Sequence, residues 1–166
     1  MLLKPSFNMH FEPHKWQTPE SACFSYATNE PRLGIANLGG LKSVIPAWRS
    51  FSTIGNIEFV REKGRQDGFI FEEERKFNPS EEHVFAVLTG IFDTAMQELD
   101  CHHIRIDEDG HCSHKPGIKP PEKIIIPEGK SISEHLLDIY SVGKLKAWLI
   151  GFAKIPNTGL QAHFRF

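Results

Sequence analysis

The residues best suited to chemistry are crowded into one stretch, DCHHIRIDEDGHCSHKPG, which runs from residue 100 to residue 117. It contains four of the nine histidines and two of the three cysteines of this 166-residue chain. Imidazole and thiolate are ligands that zinc and related transition metals prefer, and histidine is also the commonest general base. The stretch therefore suggests a metal site, a catalytic site or a polar strand pair.

Alternating residue types predict that this stretch is a β-hairpin with strands at residues 101–106 and 111–115. If the loop has four residues, His103 lies directly opposite His114, with their β-carbons within about 5.5 Å. This register predicts an outward face on which His103, Cys112 and His114 are candidate ligands of zinc or another transition metal. The alternative is a solvated hairpin face without a metal, and no other motif calls for a cofactor.

A catalytic interpretation uses some of the same side chains. His102 and His103, followed by Cys112 and His114, resemble the paired histidines of HNH-type nucleases, although the asparagine loop of that family is missing. The resemblance implies that one histidine activates water and another holds the metal, with His135 as a further ligand. His103, His114 and His135 are therefore the candidate catalytic residues of a metal-dependent nuclease or hydrolase.

A second candidate surface lies near the C-terminus. The sequence predicts a hairpin of two strands, residues 145–155 and 160–166, joined by the turn PNTG. One face alternates aromatic and cationic side chains, as do the sheets on which RNA-binding folds stack unpaired bases. The residues expected to contact a partner on this face are Trp148, Phe152, Lys154, His163 and Arg165. The alternative is that helices cover the aromatic side chains as part of the core.

Two further extended elements are predicted nearer the N-terminus. Residues 21–28, SACFSYAT, are typical of a strand, and residues 56–77 read as a β-hairpin. The Asp67-Gly68 step supports that hairpin, because Asp-Gly is a favoured pair in tight β-turns.

Two helices are predicted from capping signals and apolar spacing. Residues 78–100 begin with Asn78 as a cap and Pro79 in the first turn, and an apolar stripe follows at helical intervals. Ser131 and Glu134 form a capping box for a helix that ends near Gly143. These helices and hairpins together predict an α+β fold, with a mainly antiparallel sheet built from hairpins and two principal helices packed on one face.

No internal repeat or long linker divides the chain, so residues 1–166 are predicted to form a single domain. Residues 1–20 contain three prolines, and we expect an irregular N-terminal arm there.

Composition restricts the classes of function. A net charge of -2 and a pI near 6.5 exclude a whole-surface attraction to nucleic acid or anionic membrane. Three cysteines, an odd number, favour a reducing compartment, and the longest apolar run, AWLIGFA, is too short to cross a membrane. The sequence thus predicts a cytoplasmic protein that does not bind membranes.

No set of residues combines a nucleophile, a base and an electrophilic group at a recognisable spacing. We therefore expect a small binding or regulatory protein that contacts a macromolecular partner, in the first place another protein. Single-stranded RNA or another nucleic acid is the alternative partner, and a nuclease or hydrolase that uses residues 101–114 is the alternative function.

Overall fold

The computed structural model describes residues 2–3, 5, 11–17, 23–33, 53–92, 100–116, 119–143 and 145–161. The helices are α1 (Cys23–Ala27), α2 (Thr53–Asp67) and α3 (Ile132–Tyr140). The strands are β1 (Leu2–Leu3), β2 (Ile70–Glu72), β3 (His83–Phe92), β4 (Asp100–Ile106), β5 (Cys112–His114), β6 (Glu122–Ile124), β7 (Leu145–Ile155) and β8 (Leu160–Gln161). Short 3-10 turns lie at Pro13–Trp16, Pro31–Leu33 and Glu74–Lys76.

Six strands form one antiparallel sheet in the order β2-β7-β3-β4-β5-β6, and β1 pairs separately with β8. The α+β class and the mainly antiparallel sheet are thus confirmed. The prediction that both helices pack on one face is wrong, because helices cover both faces of the sheet and divide the core in two.

The two faces are named here after their helices. The α1 face carries the cluster that includes Phe24, Val60, Phe69, Phe85, Val87 and Ala153, from α1, α2 and the sheet. The α3 face carries the cluster that includes Val84, Ala86, Ile104, Ile106, Leu136 and Phe152. Among the described residues, no helix is long and apolar enough to cross a membrane.

The helix predicted over residues 78–100 is wrong, because the chain forms the central strand β3 there. Asn78 does begin a turn, since the backbone N–H groups of Glu81 and Glu82 donate to its carbonyl oxygen at 3.0 and 2.9 Å. The chain then extends from His83 to Phe92. A strand that is buried on both faces has a continuous apolar run, and over a short stretch this run also satisfies helical spacing.

The hairpin predicted over residues 56–77 is also wrong, because α2 occupies most of it and only β2 is extended. Gly68 ends the helix with a φ of +104°. The N–H groups of Gly68 and Phe69 donate to the carbonyl oxygens of Arg65 and Gly64 at 2.9 and 3.0 Å. This is a Schellman cap, so the Asp67-Gly68 step terminates a helix instead of turning a hairpin.

The strand predicted at residues 21–28 is the short helix α1. Asn29 ends it in the left-handed region with a φ of 52°, a conformation that asparagine tolerates better than most residues. The N–H groups of Asn29 and Glu30 donate to the carbonyl oxygens of Tyr26 and Ser25 at 3.1 and 2.9 Å. All four residues after Cys23 in this helix are buried, so packing decides its conformation.

The capping box at Ser131 and Glu134 is confirmed, and α3 follows it and ends at Tyr140. Glu74 adds a second cap, because its carboxylate accepts from the backbone N–H groups of Ile132 and Ser133 at 2.5 and 3.0 Å. A carboxylate at a helix N-terminus also interacts favourably with the helix dipole. The cap therefore fixes α3 relative to the segment after β2.

The predicted strand at residues 145–155 is confirmed as β7, and the PNTG turn is present, with the N–H of Gly159 donating to the carbonyl of Pro156 at 2.8 Å. The predicted strand partner is wrong over the described residues, because β7 lies between β2 and β3, whereas Leu160 and Gln161 pair with β1. Residues 162–166 of the predicted second strand lie outside the described residues.

Candidate active site

The predicted hairpin at residues 101–115 is confirmed as β4 and β5, but its register is wrong by one residue. Ile104, not His103, lies opposite His114. The N–H of Asp107 donates to the carbonyl of His111 at 2.9 Å, and Gly110 adopts a φ of +83°. A three-residue loop that ends in a left-handed glycine is a favoured hairpin connection, and it shifts the second strand by one position relative to a four-residue loop.

This shift separates the proposed metal ligands. Adjacent strand residues point to opposite faces, so His103 lies on the α1 face, whereas Cys112 and His114 lie on the α3 face with Ile104. Over the described part of the chain, no three His, Cys, Asp or Glu residues are placed to hold a metal ion. The hairpin does not bring His103, Cys112 and His114 together.

His103 instead meets a cysteine that the sequence analysis did not consider. Cys23, the first residue of α1, places its Sγ atom 3.3 Å from His103 Nδ1. The cysteine is half-buried, and the histidine is fully buried. A thiol within hydrogen-bond reach of an imidazole is the core of a nucleophilic catalytic site.

The surroundings of His103 fix the orientation and charge of its ring. Its ring centroid lies 4.9 Å from that of Phe24 and 6.0 Å from that of Phe85. Burial among these apolar groups lowers the pKa of His103 to about 3, with a smaller contribution from His102. Its Nε2 atom is buried and has no hydrogen-bond partner in the described part of the chain. The imidazole is therefore neutral near pH 7 and is oriented by packing.

A buried polar network anchors α1 to the sheet below Cys23. The hydroxyl groups of Tyr26 and Ser113 lie 2.7 Å apart, and the Arg105 guanidinium lies over the Tyr26 ring, 5.0 Å from its centroid. Arg105 Nε donates to Asp107 Oδ1 at 2.6 Å, and both residues are almost fully buried. These contacts join α1 to β4 and β5, and they fix the position from which Cys23 approaches His103.

Lys115 supplies a positive charge to the same region. It follows β5 and is fully buried. Burial lowers the pKa of its ammonium group, and the negative form of Cys23 acts in the opposite direction. Since this interaction is mutual, the Lys115 ammonium favours negative charge on the Cys23 sulfur.

Cys112 provides an internal comparison for Cys23. It is buried in the α3-face cluster beside Ile106 and Ile124. Burial is the largest cause that raises the pKa of its thiol to about 12, and nearby carboxylates add to the effect. Cys112 is thus a core residue with an inert thiol.

The other catalytic candidates lie apart from Cys23. His114 Nδ1 lies 2.8 Å from His102 Nε2 and 2.8 Å from the Tyr140 hydroxyl oxygen, on the α3 face. His135 lies on α3 and is half-buried. Within the described residues, His103 contacts a thiol, whereas His114 contacts an imidazole and a phenol hydroxyl.

The predicted partner-binding surface is divided by a β-bulge in β7. Val87 pairs with Gly151 and Leu88 with Leu149, so Ile150 is an extra residue that reverses the alternation of faces. Trp148 consequently lies on the α1 face and Phe152 on the α3 face.

The other residues of the predicted partner-binding surface do not support it either. Phe152 is buried against Phe77, with ring centroids 5.1 Å apart. Lys154 donates to the carboxylates of Glu72 and Glu82 at 2.6 and 2.8 Å. His163 and Arg165 lie outside the described residues. The described members do not form one continuous aromatic and basic face.

No protein-family model, curated protein or solved structure matches this chain. The candidate site thus rests on its own geometry. The sequence did not indicate that Cys23 pairs with His103, because the two residues lie 80 positions apart and residues 21–28 have the pattern of a strand. The available signal was a cysteine directly before a segment with two aromatic residues, Phe24 and Tyr26.

Proposed function

We propose that this protein is an enzyme that uses Cys23 as the nucleophile in acyl transfer, acting on esters, thioesters or amides. The observation that carries this proposal is the 3.3 Å contact between Cys23 Sγ and His103 Nδ1, which joins a half-buried thiol to a buried neutral base. A cysteine paired with a histidine is a recurrent way to activate a thiol toward carbonyl carbon.

The residues have distinct roles in the reaction. The neutral His103 imidazole accepts the thiol proton while the Cys23 sulfur forms a bond to the acyl carbon. His103 then returns this proton to the departing alcohol, thiol or amine as its bond to the acyl carbon breaks. Water hydrolyses the acyl-cysteine, or a second acceptor takes the acyl group, and the free thiol is restored.

Charge makes the proton transfer feasible despite the low pKa of His103. Negative charge that develops on sulfur favours the imidazolium beside it, so proton transfer is coupled to attack. The Lys115 ammonium supports the same charge from within the protein. A buried cation near a developing negative charge stabilises it more than a solvated cation would.

Two assays on the full chain test this function. Iodoacetamide labelling, followed by peptide mapping, measures the reactivity of Cys23, Cys101 and Cys112 separately. Hydrolysis of p-nitrophenyl acetate measures acyl transfer, with an initial burst if the acyl-enzyme accumulates. We expect His103→Ala to reduce both the Cys23 labelling rate and the burst rate by roughly 100-fold, the lower range of general-base effects.

The matched control is His111→Ala, which removes an exposed histidine next to the loop of the same hairpin. We expect this variant to retain both rates, and Cys23→Ser to abolish the burst. Equal labelling of Cys23 in the wild type and in a folded His103→Ala variant would overturn the proposal. Circular dichroism identifies variants that have lost the fold.

The sequence-based expectation of a partner-binding protein remains a prediction. The structure gives it less support than the thiol chemistry, because a bulge divides the residues predicted to form its surface. RNA as the partner likewise remains a prediction.

A further inference from the structure

A second polar cluster lies on the α3 face, where three separate elements converge on one nitrogen atom. His102 is on β4, His114 ends β5 and Tyr140 ends α3. His102 Nε2 and the Tyr140 hydroxyl oxygen each lie 2.8 Å from His114 Nδ1. The rings of His102 and His114 are nearly perpendicular, with an interplanar angle of 84° and centroids 5.1 Å apart.

His114 Nδ1 cannot form full hydrogen bonds with both of its neighbours. A ring nitrogen of neutral histidine offers either one hydrogen or one lone pair, in the plane of the ring. His114 Nδ1 therefore makes one full hydrogen bond, yet two polar atoms lie at hydrogen-bond distance from it. The two contacts must share that one hydrogen or that one lone pair, which weakens both. A cation between the three atoms would use one lone pair from each of them.

A carboxylate on the far side of His114 orients its ring toward the other two atoms. Glu122 Oε2 lies 3.8 Å from His114 Nε2, on the other side of the ring. A carboxylate there favours a proton on Nε2 and leaves Nδ1 free to bind, as in carboxylate-histidine-metal arrangements.

We propose that His102 Nε2, His114 Nδ1 and the Tyr140 oxygen bind a transition-metal ion of the zinc class. Two nitrogen ligands at about 2.0–2.1 Å from one ion are about 2.9 Å apart when they subtend a right angle, and about 3.3 Å apart in a tetrahedron. The two observed contacts, each 2.8 Å from His114 Nδ1, are close to the right-angle separation and widen by roughly 0.5 Å to reach the tetrahedral one.

The described part of the chain holds no group of three His, Cys, Asp or Glu residues placed to bind a metal ion. The proposed set differs from such a group because its third ligand is a tyrosine. Three protein ligands leave further positions for water or an exogenous ligand, as in catalytic zinc sites. The site lies on the opposite face of β4 from the Cys23 pair, and its proposal does not rest on the thiol chemistry.

Zinc titration of the full chain tests the proposal. After dialysis against a chelator, the wild type should bind one Zn²⁺ per chain in calorimetry. His102→Gln and His114→Gln should each weaken that affinity by more than about 100-fold, because loss of an outer-sphere partner alone costs about 10- to 100-fold. Tyr140→Phe keeps the ring, and it should reduce affinity without loss of the fold.

His111→Gln is the matched control, since it removes an exposed imidazole from the same hairpin. Substitution of Co²⁺ for Zn²⁺ gives a second measurement, and we expect a spectrum without a thiolate charge-transfer band. The proposal fails if the wild type binds no Zn²⁺, or if His111→Gln weakens binding as much as His102→Gln. A thiolate band would assign the metal to cysteine and also overturn it. Cys23 labelling is measured on the metal-free protein, so the two proposals fail separately.

Discussion

Two adjacent histidines of β4 lie in different chemical environments. His103 is fully buried on the α1 face and contacts one thiol, whereas His102 is half-buried on the α3 face beside His114 and Tyr140. Strand alternation alone directs neighbouring side chains to opposite faces. A pair of histidines in a sequence can thus serve two sites, and spacing along the chain is a poor guide to which residues act together.

The two faces also differ in how they are stabilised. Beneath α1, the sheet carries the buried Arg105–Asp107 ion pair and the hydrogen-bonded hydroxyl groups of Tyr26 and Ser113. Apolar side chains pack on the same face. Beneath α3, the described core cluster is apolar, and polar groups lie around it in the His102 cluster, in the Glu74 cap of α3 and in Lys154 with its carboxylates. This contrast predicts different responses to substitution and pH.

The largest expected loss of stability comes from the polar anchor of the α1 face. Arg105→Met removes the guanidinium from the buried Asp107 carboxylate, and we expect the free energy of unfolding to fall by about 3–5 kcal/mol. Urea denaturation measures this change. Arg65→Met is the control, because its partners Glu58 and Glu62 are exposed, and its effect should be about 1 kcal/mol or less. Equal effects would show that the buried network is not an anchor.

Acid should destabilise the α1 face through His83. Burial is the main cause that lowers its folded pKa to about 4, from an ordinary value of 6.5. Its neutral form stabilises the fold fully above pH 6.5, and this contribution is lost as pH falls from 6.5 toward 4, because the unfolded chain binds the proton first. The lowered pKa of His83 corresponds to a loss of at most about 3 kcal/mol in the free energy of unfolding.

The matching measurement compares urea denaturation at pH 7 and pH 4.5 for the wild type and His83→Gln. The variant should lose less stability than the wild type between these two values. An identical loss in both proteins would assign the acid sensitivity to other groups.

Lys115→Met tests whether the buried cation acts on Cys23. The variant retains much of the side-chain volume but removes the charge that favours negative sulfur, so iodoacetamide labelling of Cys23 should slow by roughly 10-fold. Lys119→Met, an exposed lysine nearby in the chain, should leave the rate unchanged. Similar labelling rates in both variants would remove Lys115 from the site.

Gly110→Ala has the smallest expected effect and tests the hairpin register. The φ of +83° disfavours a β-carbon, and no atom lies within 4 Å of the position that it would take. We therefore expect a loss of about 1 kcal/mol that comes from the backbone alone. Gly110→Asn should cost less, because asparagine tolerates the left-handed region. Full stability of Gly110→Ala would contradict the three-residue loop.

Some elements could be predicted because their signals are local. The capping box at Ser131 depends on two side chains three residues apart, and β7 depends on its own run of apolar residues. The β4–β5 hairpin was predicted from alternation, but its register depends on one backbone torsion at Gly110. That single torsion decides whether His114 lies opposite His103 or Ile104. The pairing of His103 with His114 predicted from the sequence was therefore wrong.

Other elements depend on contacts that are distant in sequence. β3 has apolar residues that also fit helical spacing, and it is a strand because β4 and β7 flank it and helices cover both of its faces. α1 is too short to be stable alone, and its burial against β4 and β5 holds it together.

By itself, the sequence determined the α+β class, α3 with its cap, β7 and the presence of a histidine-rich hairpin. The tertiary structure alone decided which residues meet across that hairpin and across the chain. Cys23 contacts His103 because α1 packs on β4, and Tyr140 contacts His114 because Glu74 and the capping box direct α3 across the opposite face. Local signals select backbone conformations, but a reactive site depends on packing between elements that the sequence does not place side by side.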